Sequence, residues 1–368
     1  MKVIVILKGV LDSYPPTISV VVSLRKIGHD VSLFCNEISN ELLEYLKKFN
    51  IEIYIQNYSR GSNILTKFTE YYLFRRAAIK HIEKTYVVDN SFIWLATADS
   101  AIAIGTSVKE YKFVLNILEL YDEFPIHRYL ISKLAIFASA VVVPEFNRAN
   151  VFRVWLKLKR LPYVLENYPN YSLLTNEQND FTQKLELKIE DIKNFANKRK
   201  IFIYQGHIRK IDILCQALNK LNSEVCLILM GYENDYVKQL ELQYPSLIKY
   251  VGFVSPPFHL KFTQIADFAI LYYEPDSLNN VFCAPNKIWE YSKFGLPMLG
   301  NDLAGLNILR LNNFGRICEF YDITELNECI SDLILNQKLL SKNATDYFEN
   351  YSYESIIKNI VEKISLSQ

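Results

Sequence analysis

Apolar residues in this chain fall in short unbroken blocks, each followed by a polar or glycine-containing loop and then by a stretch with helical spacing. Residues 3–7 (VIVIL), 31–35, 92–97, 113–118 and 138–143 are such blocks, and residues 51–55 alternate. Continuous apolar runs of this length mark strands buried on both faces, as in parallel sheets. Residues 17–27 read as a helix ended by Gly28, so the first two strands and this helix form a β-α-β unit. A long helix is predicted over 62–84, and LENYP at 165–169 closes this half. Residues 170–198 are polar and charged, which predicts a linker leading into a helix. At residue 200 the pattern restarts, with KIFIYQG echoing the opening KVIVILKG. Strands follow at 225–230, 248–251 and 268–273, helices at 211–219, 260–266, 323–335 and 353–364. The alternation predicts an α/β protein of two doubly wound parallel-sheet domains: residues 1–169, a linker at 170–198, a second domain at 199–345, and a trailing helix within 346–368 that packs back toward the first domain. A ligand is expected in the cleft between the domains.

One segment is sharply punctuated. Pro285 suits the first turn of a helix, residues 286–294 hold no breaker, Gly295 suits a left-handed stop, and Pro297 forbids continuation. Residues 296–299 then read as a short buried strand. Asn286 and Glu290 are four apart and share a face. Free N–H groups at the helix start suit a phosphate, and a carboxylate one turn along can accept the hydroxyls of a ribose. By itself the segment reads equally well as a capped amphipathic helix with a solvent-facing glutamate.

Composition narrows the classes. The 368 residues are half apolar and carry a net charge of +1, so no global field argues for nucleic acid. The six cysteines are scattered without a Cys-x-x-Cys or His-Cys cluster, which argues against a disulfide framework and a zinc site and for a reducing compartment. The apolar part of the N-terminus is too short for a signal peptide, and the longest apolar run, 134–143, is far below bilayer length. A cytoplasmic protein is expected. With only eleven glycines, their placement is informative: Gly9, Gly206, Gly231, Gly252 and Gly300 each follow a strand block.

In this order and spacing, the chain resembles the GT-B glycosyltransferases, and within them the retaining group that includes many bacterial polysaccharide enzymes (glycosyltransferase family 4). The resemblance covers nearly the whole chain. It rests on the opening strand-loop-helix ending in Gly28-His29-Asp30-Val31, LYDE at 120–123, VLENYP at 164–169, YQG at 204–206, MGY at 230–232, VGFV at 251–254 and PNKIWEYSKFGLP at 285–297. It implies a nucleotide-sugar donor in the second domain and an acceptor in the first. Glu290 matches the family's ribose-binding glutamate. Gly252, Phe253 and Val254 would lie beside the base. Gly206 with Arg209 and Lys210 matches the loop facing the diphosphate, Lys287 supplies a further positive group there, and Asn286 and Gly9 complete the donor set. One departure is plain. The family often carries two glutamates separated by seven residues, and the first would fall on Phe282. Glu274, Asn279 and Asn280 lie in the loop where that role would pass.

Breaking an anomeric bond to a diphosphate leaves negative charge on the leaving group, so fixed positive charge and N–H donors are the chief requirement. Arg209 and Lys287 are the candidates for this catalytic role, with no metal and no cofactor invoked. Glu119, at the end of the fifth strand block, is the candidate acceptor-side carboxylate, followed by Asp122. Glu119 can equally cap a strand edge or pair with an arginine. His207 is placed to donate a bond or fill a turn, and His29 is expected to be structural. Residues 65–84 (Lys67, Arg75, Arg76, Lys80 and Lys84 among Tyr71, Tyr72, Leu73 and Phe74) and residues 148–160 (Arg148, Arg153, Lys157, Lys159 and Arg160 among Phe152, Trp155, Leu156 and Leu158) mix cations with aromatic and aliphatic residues. Such segments suit peripheral contact with the inner face of the cell membrane, or are ordinary helices with basic outer faces. The expectation is a transferase moving a hexose or N-acetylhexosamine, with retention, from a UDP-linked donor to a growing lipid-linked glycan. A nucleotide-sugar epimerase of the same fold and a non-catalytic partner subunit are the alternatives.

Overall fold

The apolar blocks of the first half form strands β1 (Lys2–Ile6), β2 (Asp30–Cys35), β3 (Glu52–Ile55), β4 (Ser91–Leu95), β5 (Phe113–Asn116) and β6 (Ala140–Val143), joined by a two-residue β7 (Tyr163–Val164). All pair in parallel, in the order β3-β2-β1-β4-β5-β6-β7. Val3 and Val5 of β1 lie between Val31 and Leu33 on one side and Phe92 and Trp94 on the other, all buried. That arrangement explains the unbroken apolar runs: helices cover both faces of the sheet, and neither face is left to water. The second half repeats the design with β8 (Lys200–Gln205), β9 (Val225–Met230), β10 (Ile248–Tyr250), β11 (Phe268–Leu271), β12 (Met298–Asn301) and β13 (Gly315–Cys318). These too are parallel, in the order β10-β9-β8-β11-β12-β13. The fold is therefore α/β, with two doubly wound Rossmann-like sheets.

The structure is a computed structural model and describes residues 1–57, 64–170 and 180–366. The chain divides into two compact units, Met1–Leu173 with Ser277–Asn279 and Ser352–Gln368, and Leu174–Asp276 with Asn280–Tyr351. Most of the segment read as a linker is helix: Asp180–Ala196 buries Leu185, Ile192 and Ala196 in the core of the second unit. The rest of that segment, residues 171–179, and the expected helix start at Ser62 lie outside the described residues. The strand expected at 296–299 begins two residues later. Pro297 has no N–H to give a ladder, so pairing starts at Met298, opposite Ala269 and Gly315. The C-terminal region holds two helices. Gln337–Glu349 packs in the second unit, whereas Tyr353–Leu366 packs in the first against the helix Pro15–Lys26. There the Glu354 carboxylate accepts from Asn170 Nδ2 at 2.6 Å and Lys26 Nζ at 3.5 Å. Among the described residues no helix is long and apolar enough to cross a membrane.

The punctuated segment forms the helix Asn286–Lys293. Pro285 is its extended cap residue (ψ 132°), so Asn286 and Lys287 are the first two helical positions, whose N–H groups have no intrahelical partner. At the other end Gly295 is left-handed (φ +64°), with Gly295 N–H donating to Ser292 and Leu296 N–H to Tyr291. One face is anchored by Trp289, which is buried and stacks on Tyr347 at 4.7 Å. A Cβ at Gly295 would lie 2.8 Å from Thr345 Oγ1 and 3.3 Å from the Ser341 carbonyl. Gly295→Ala should therefore lose about 2–3 kcal/mol of stability in urea titration, from left-handed strain plus this crowding.

Candidate functional site

In the second sheet the strand order reverses at β8 and β11, and the crevice outside their carboxyl ends is where doubly wound folds hold ligands. β8 leaves the sheet through Gln205 and Gly206, and β11 through Tyr272 and Tyr273. Gly206 has φ +107°, and a Cβ there would lie 2.9 Å from both Cε and Nζ of Lys287. The lysine arm is thus laid directly across the glycine. The buried Asn301 fixes the other wall, accepting from Tyr273 N–H at 3.1 Å and donating to the Tyr273 carbonyl at 2.7 Å. Gln205, His207, Arg209, Tyr272, Tyr273 and Lys287 line a cavity of about 130 Å³ at this point.

Glu290 lies one helical turn along from Asn286, and its carboxylate is the centre of a polar chain. Gln205 Nε2 donates to Oε2 at 2.8 Å, and His259 Nε2 lies 3.2 Å from the same oxygen. Gln205 in turn accepts from the fully buried Thr263 hydroxyl at 3.1 Å. The contact with a carboxylate assigns a proton to His259 Nε2. Oε1 of Glu290 makes no hydrogen bond to any described residue. Burial resists ionisation of Glu290, but the bond and charge of His259, then the Lys287 ammonium and the Gln205 bond, more than offset it and hold the carboxyl below its ordinary value. The result is an oriented carboxylate with one acceptor oxygen to spare.

The loop after β8 is pinned by Tyr204. Its hydroxyl donates to the His207 carbonyl at 3.1 Å and accepts the Arg209 N–H at 3.2 Å. Burial pushes this phenol well above its ordinary value, so it stays a neutral donor. Arg209 Nη1 is 3.4 Å from Glu274 Oε2. Lys210 faces elsewhere. Together with Asp212, Asp302, Glu319 and Tyr321 it lines a separate cavity of about 380 Å³. Consecutive residues of an extended loop point to opposite sides, so the basic pair is divided between two cavities. At the exits of β9 and β10, Gly252 has φ +88°, Val254 is buried, and Phe253 stacks on Tyr232 with centroids 4.3 Å apart and planes 7° from parallel. Both rings of that stack are largely exposed.

Gly206→Ala follows directly from this geometry. At φ +107° an L side chain is strained and the added methyl displaces the Lys287 ammonium, so about 1–3 kcal/mol of stability should be lost in urea titration.

The remaining candidates lie in the first unit. Glu119 is about half exposed and is 3.5 Å from Nη1 of the buried Arg148, which also donates to the Leu118 carbonyl. Gly9 follows β1 and lets the Tyr14 ring approach, since a Cβ there would lie 2.7 Å from Tyr14 Cε2. It borders a cavity of about 710 Å³ at the exits of β1, β2 and β3, lined also by Lys8, Tyr14, Asn36, Glu70 and Asp99. Lys8 and Glu70 pair at 3.0 Å in its wall. Asp99 accepts from Tyr71 at 3.4 Å and is 3.6 Å from His127 Nε2.

Sequence reasoning reached Glu290, Lys287, Gly206 and Arg209 but not Gln205, His259, Thr263 or Asn301. A polar residue ending an apolar strand block was the only signal for Gln205. His259 precedes a predicted helix with nothing to link it to Glu290.

No protein-family model matches the chain, and no curated protein matches it in sequence. Solved structures do match. HepE from Anabaena, in complex with UDP and glucose, superposes with a TM-score of 0.68 at 16% identity over 100% of both chains. A glycosyltransferase from Rickettsia africae gives 0.67 at 15% identity over 100% of this chain and 99% of the other. UDP-GlcNAc 2-epimerase from Neisseria meningitidis, bound to UDP-GlcNAc, gives 0.63 at 14% identity over 99% of each. The two Rossmann-like parallel sheets and these matches along the full length define a GT-B fold.

Proposed function

We propose that the chain is a glycosyltransferase that moves a sugar from a nucleotide donor, UDP-linked, to a growing lipid-linked glycan, with retention of anomeric configuration, as in the family 4 group. The observation that carries this is the free Oε1 of Glu290 on the same helix face as Asn286, with Lys287 laid across Gly206. A ribose on Glu290 places the diphosphate at the helix start, against the Lys287 ammonium and within reach of Arg209. The bond from the anomeric carbon to the β-phosphate oxygen breaks, the diphosphate takes the electron pair, and these cations stabilise it. The acceptor hydroxyl attacks from the same face and passes its proton to the departing diphosphate. No metal is invoked. The exposed Tyr232–Phe253 stack at the ends of β9 and β10 suits the base, and Phe253→Ala should weaken UDP binding roughly ten-fold in a calorimetric titration. The large polar cavity beside Gly9 is our candidate for the acceptor sugar, and Glu119, held by Arg148, our candidate acceptor-side carboxylate.

A labelled UDP-sugar tests the reaction. Transfer releases UDP and moves the label to the glycan. Label that stays on the nucleotide with altered stereochemistry identifies an epimerase instead, the second reading supported by the epimerase among the fold neighbours.

A further inference from the structure

The helix Pro125–Ala135 and the turn after it present an unusual surface in the first unit. Its inner face is conventional: Ile131, Leu134 and Ala135 are buried. Its outer face is also apolar. Ile126 (71% exposed), Tyr129 (60%) and Leu130 (39%) recur at helical spacing, and Ile136 (63%) and Phe137 (50%) extend the stripe past the helix end. Positions 126, 129, 130, 133 and 137 follow one side of a helix, and the only charge among them is Lys133. Scattered exposed apolar residues are ordinary, but a contiguous row on a single helix face is not.

The charge around it is mostly positive, although Asp122 and Glu123 precede the helix, Glu166 follows the helix Phe146–Trp155 and its turn, and Asp99 lies 3.6 Å from His127 Nε2. Residues 124–165 hold seven Lys or Arg and a single acid, Glu145, which caps the helix Phe146–Trp155 by accepting the Arg148 N–H. Cations sit on the rings of the stripe: Lys133 Nζ is 5.0 Å from the Tyr129 centroid and Lys109 Nζ 3.9 Å from that of Phe137. The Arg128 guanidinium lies 4.7 Å over Trp155, which ties this helix to Phe146–Trp155. The end of that second helix and the turn beyond it expose Val154 (76%), Arg153, Lys157, Lys159 and Arg160. One of the two segments singled out in the sequence, 148–160, therefore continues this surface. Its Arg148 is buried and does not belong to it.

We infer that the outer face of Pro125–Ala135, with the basic end of Phe146–Trp155, is a docking surface for an anionic lipid leaflet. Apolar side chains enter the interface, aromatic rings sit at headgroup level, and the surrounding cations meet lipid phosphates. Charge selects this occupant over a second copy of the chain, because a symmetric pairing would set like cations against one another. The inference stands on exposure and charge alone and does not depend on the proposed reaction.

Vesicle co-sedimentation tests it. Full-length protein should pellet with vesicles of phosphatidylcholine and phosphatidylglycerol, much less with phosphatidylcholine alone, and less as salt is raised. Ile126→Ser combined with Phe137→Ser, and separately Lys133→Glu, should each cut the partition coefficient about ten-fold, with the thermal midpoint and UDP affinity unchanged. Equal sedimentation of wild type and both variants overturns the assignment, as does wild type that stays in the supernatant with anionic vesicles. So does a homodimer in sedimentation velocity that the serine variant dissolves, since the stripe would then be a subunit interface. Loss of UDP binding or of transfer with vesicle binding retained would count against the proposed reaction and leave this surface standing.

Discussion

Lys287→Met is expected to lower kcat for sugar transfer about a hundred- to a thousand-fold, with a much smaller change in UDP affinity. The ammonium arm crosses Gly206 at 2.9 Å from where a Cβ would stand, and it projects from the second residue of a helix whose first N–H groups are free. It therefore presents positive charge to the same point as the helix terminus. In the proposed reaction that charge would face a diphosphate already solvated in part by water and by Arg209. As the anomeric bond broke, negative charge would grow on the leaving oxygen, and a fixed ammonium would stabilise this change more than it stabilises binding. Methionine keeps most of the arm's volume and its packing over Gly206 while removing the charge, so the folded state should survive. Arg209→Met should have the weaker effect, because its guanidinium is shared with Glu274 at 3.4 Å. Steady-state kinetics with a labelled UDP-sugar measure both, and a Lys287→Met enzyme with unchanged kcat would remove Lys287 from the reaction.

The second large effect is on binding. Glu290→Gln should weaken UDP affinity roughly ten- to a hundred-fold by calorimetry, the worth of hydrogen bonds to a charged acceptor. The substitution is nearly isosteric, so Trp289 keeps its seat and the helix its position. The electrostatics also predict a pH signature. A carboxyl held below its ordinary value binds fewer protons in the folded chain than in the unfolded one. Its contribution is therefore complete above the ordinary value of 4.5 and is lost as pH falls through the depressed one. The thermal midpoints of wild type and Glu290→Gln should stay a constant interval apart from neutral pH down to about 4.5 and converge below it. An interval that closes well above that pH would mean that His259 and Lys287 do not hold the carboxylate ionised.

The fold was legible wherever burial on both faces left an unbroken apolar record, and least legible at the sheet edges. β13 (GRIC) carries an arginine and is four residues long, and β7 has two residues, so neither leaves a run to read. The helix Asp180–Ala196 was obscured by its polar outer face, because only a narrow stripe of it is buried. The helix of Glu290 announced itself through local punctuation, with Gly295 and Pro297 acting on the backbone next to them. What Glu290 touches was not local. Gln205 is 85 residues away and meets it only because β8 and Asn286–Lys293 end at the same crevice. The division of Arg209 from Lys210 was equally hidden, since it depends on which way each side chain leaves the loop. For the surface proposed to dock on lipid, the sequence marked the cations of 148–160 but not the outer apolar row of Pro125–Ala135, because exposure is not written in residue type.

A crystal structure of the chain soaked with UDP shows where the nucleotide sits. The ribose hydroxyls should lie within hydrogen-bond distance of Glu290 Oε1, the diphosphate should contact Lys287 Nζ and the first N–H groups of Asn286–Lys293, and the uracil should lie against the Tyr232–Phe253 stack. UDP bound away from Glu290, or a crevice between β8 and β11 left empty at saturating UDP, would contradict the proposed site.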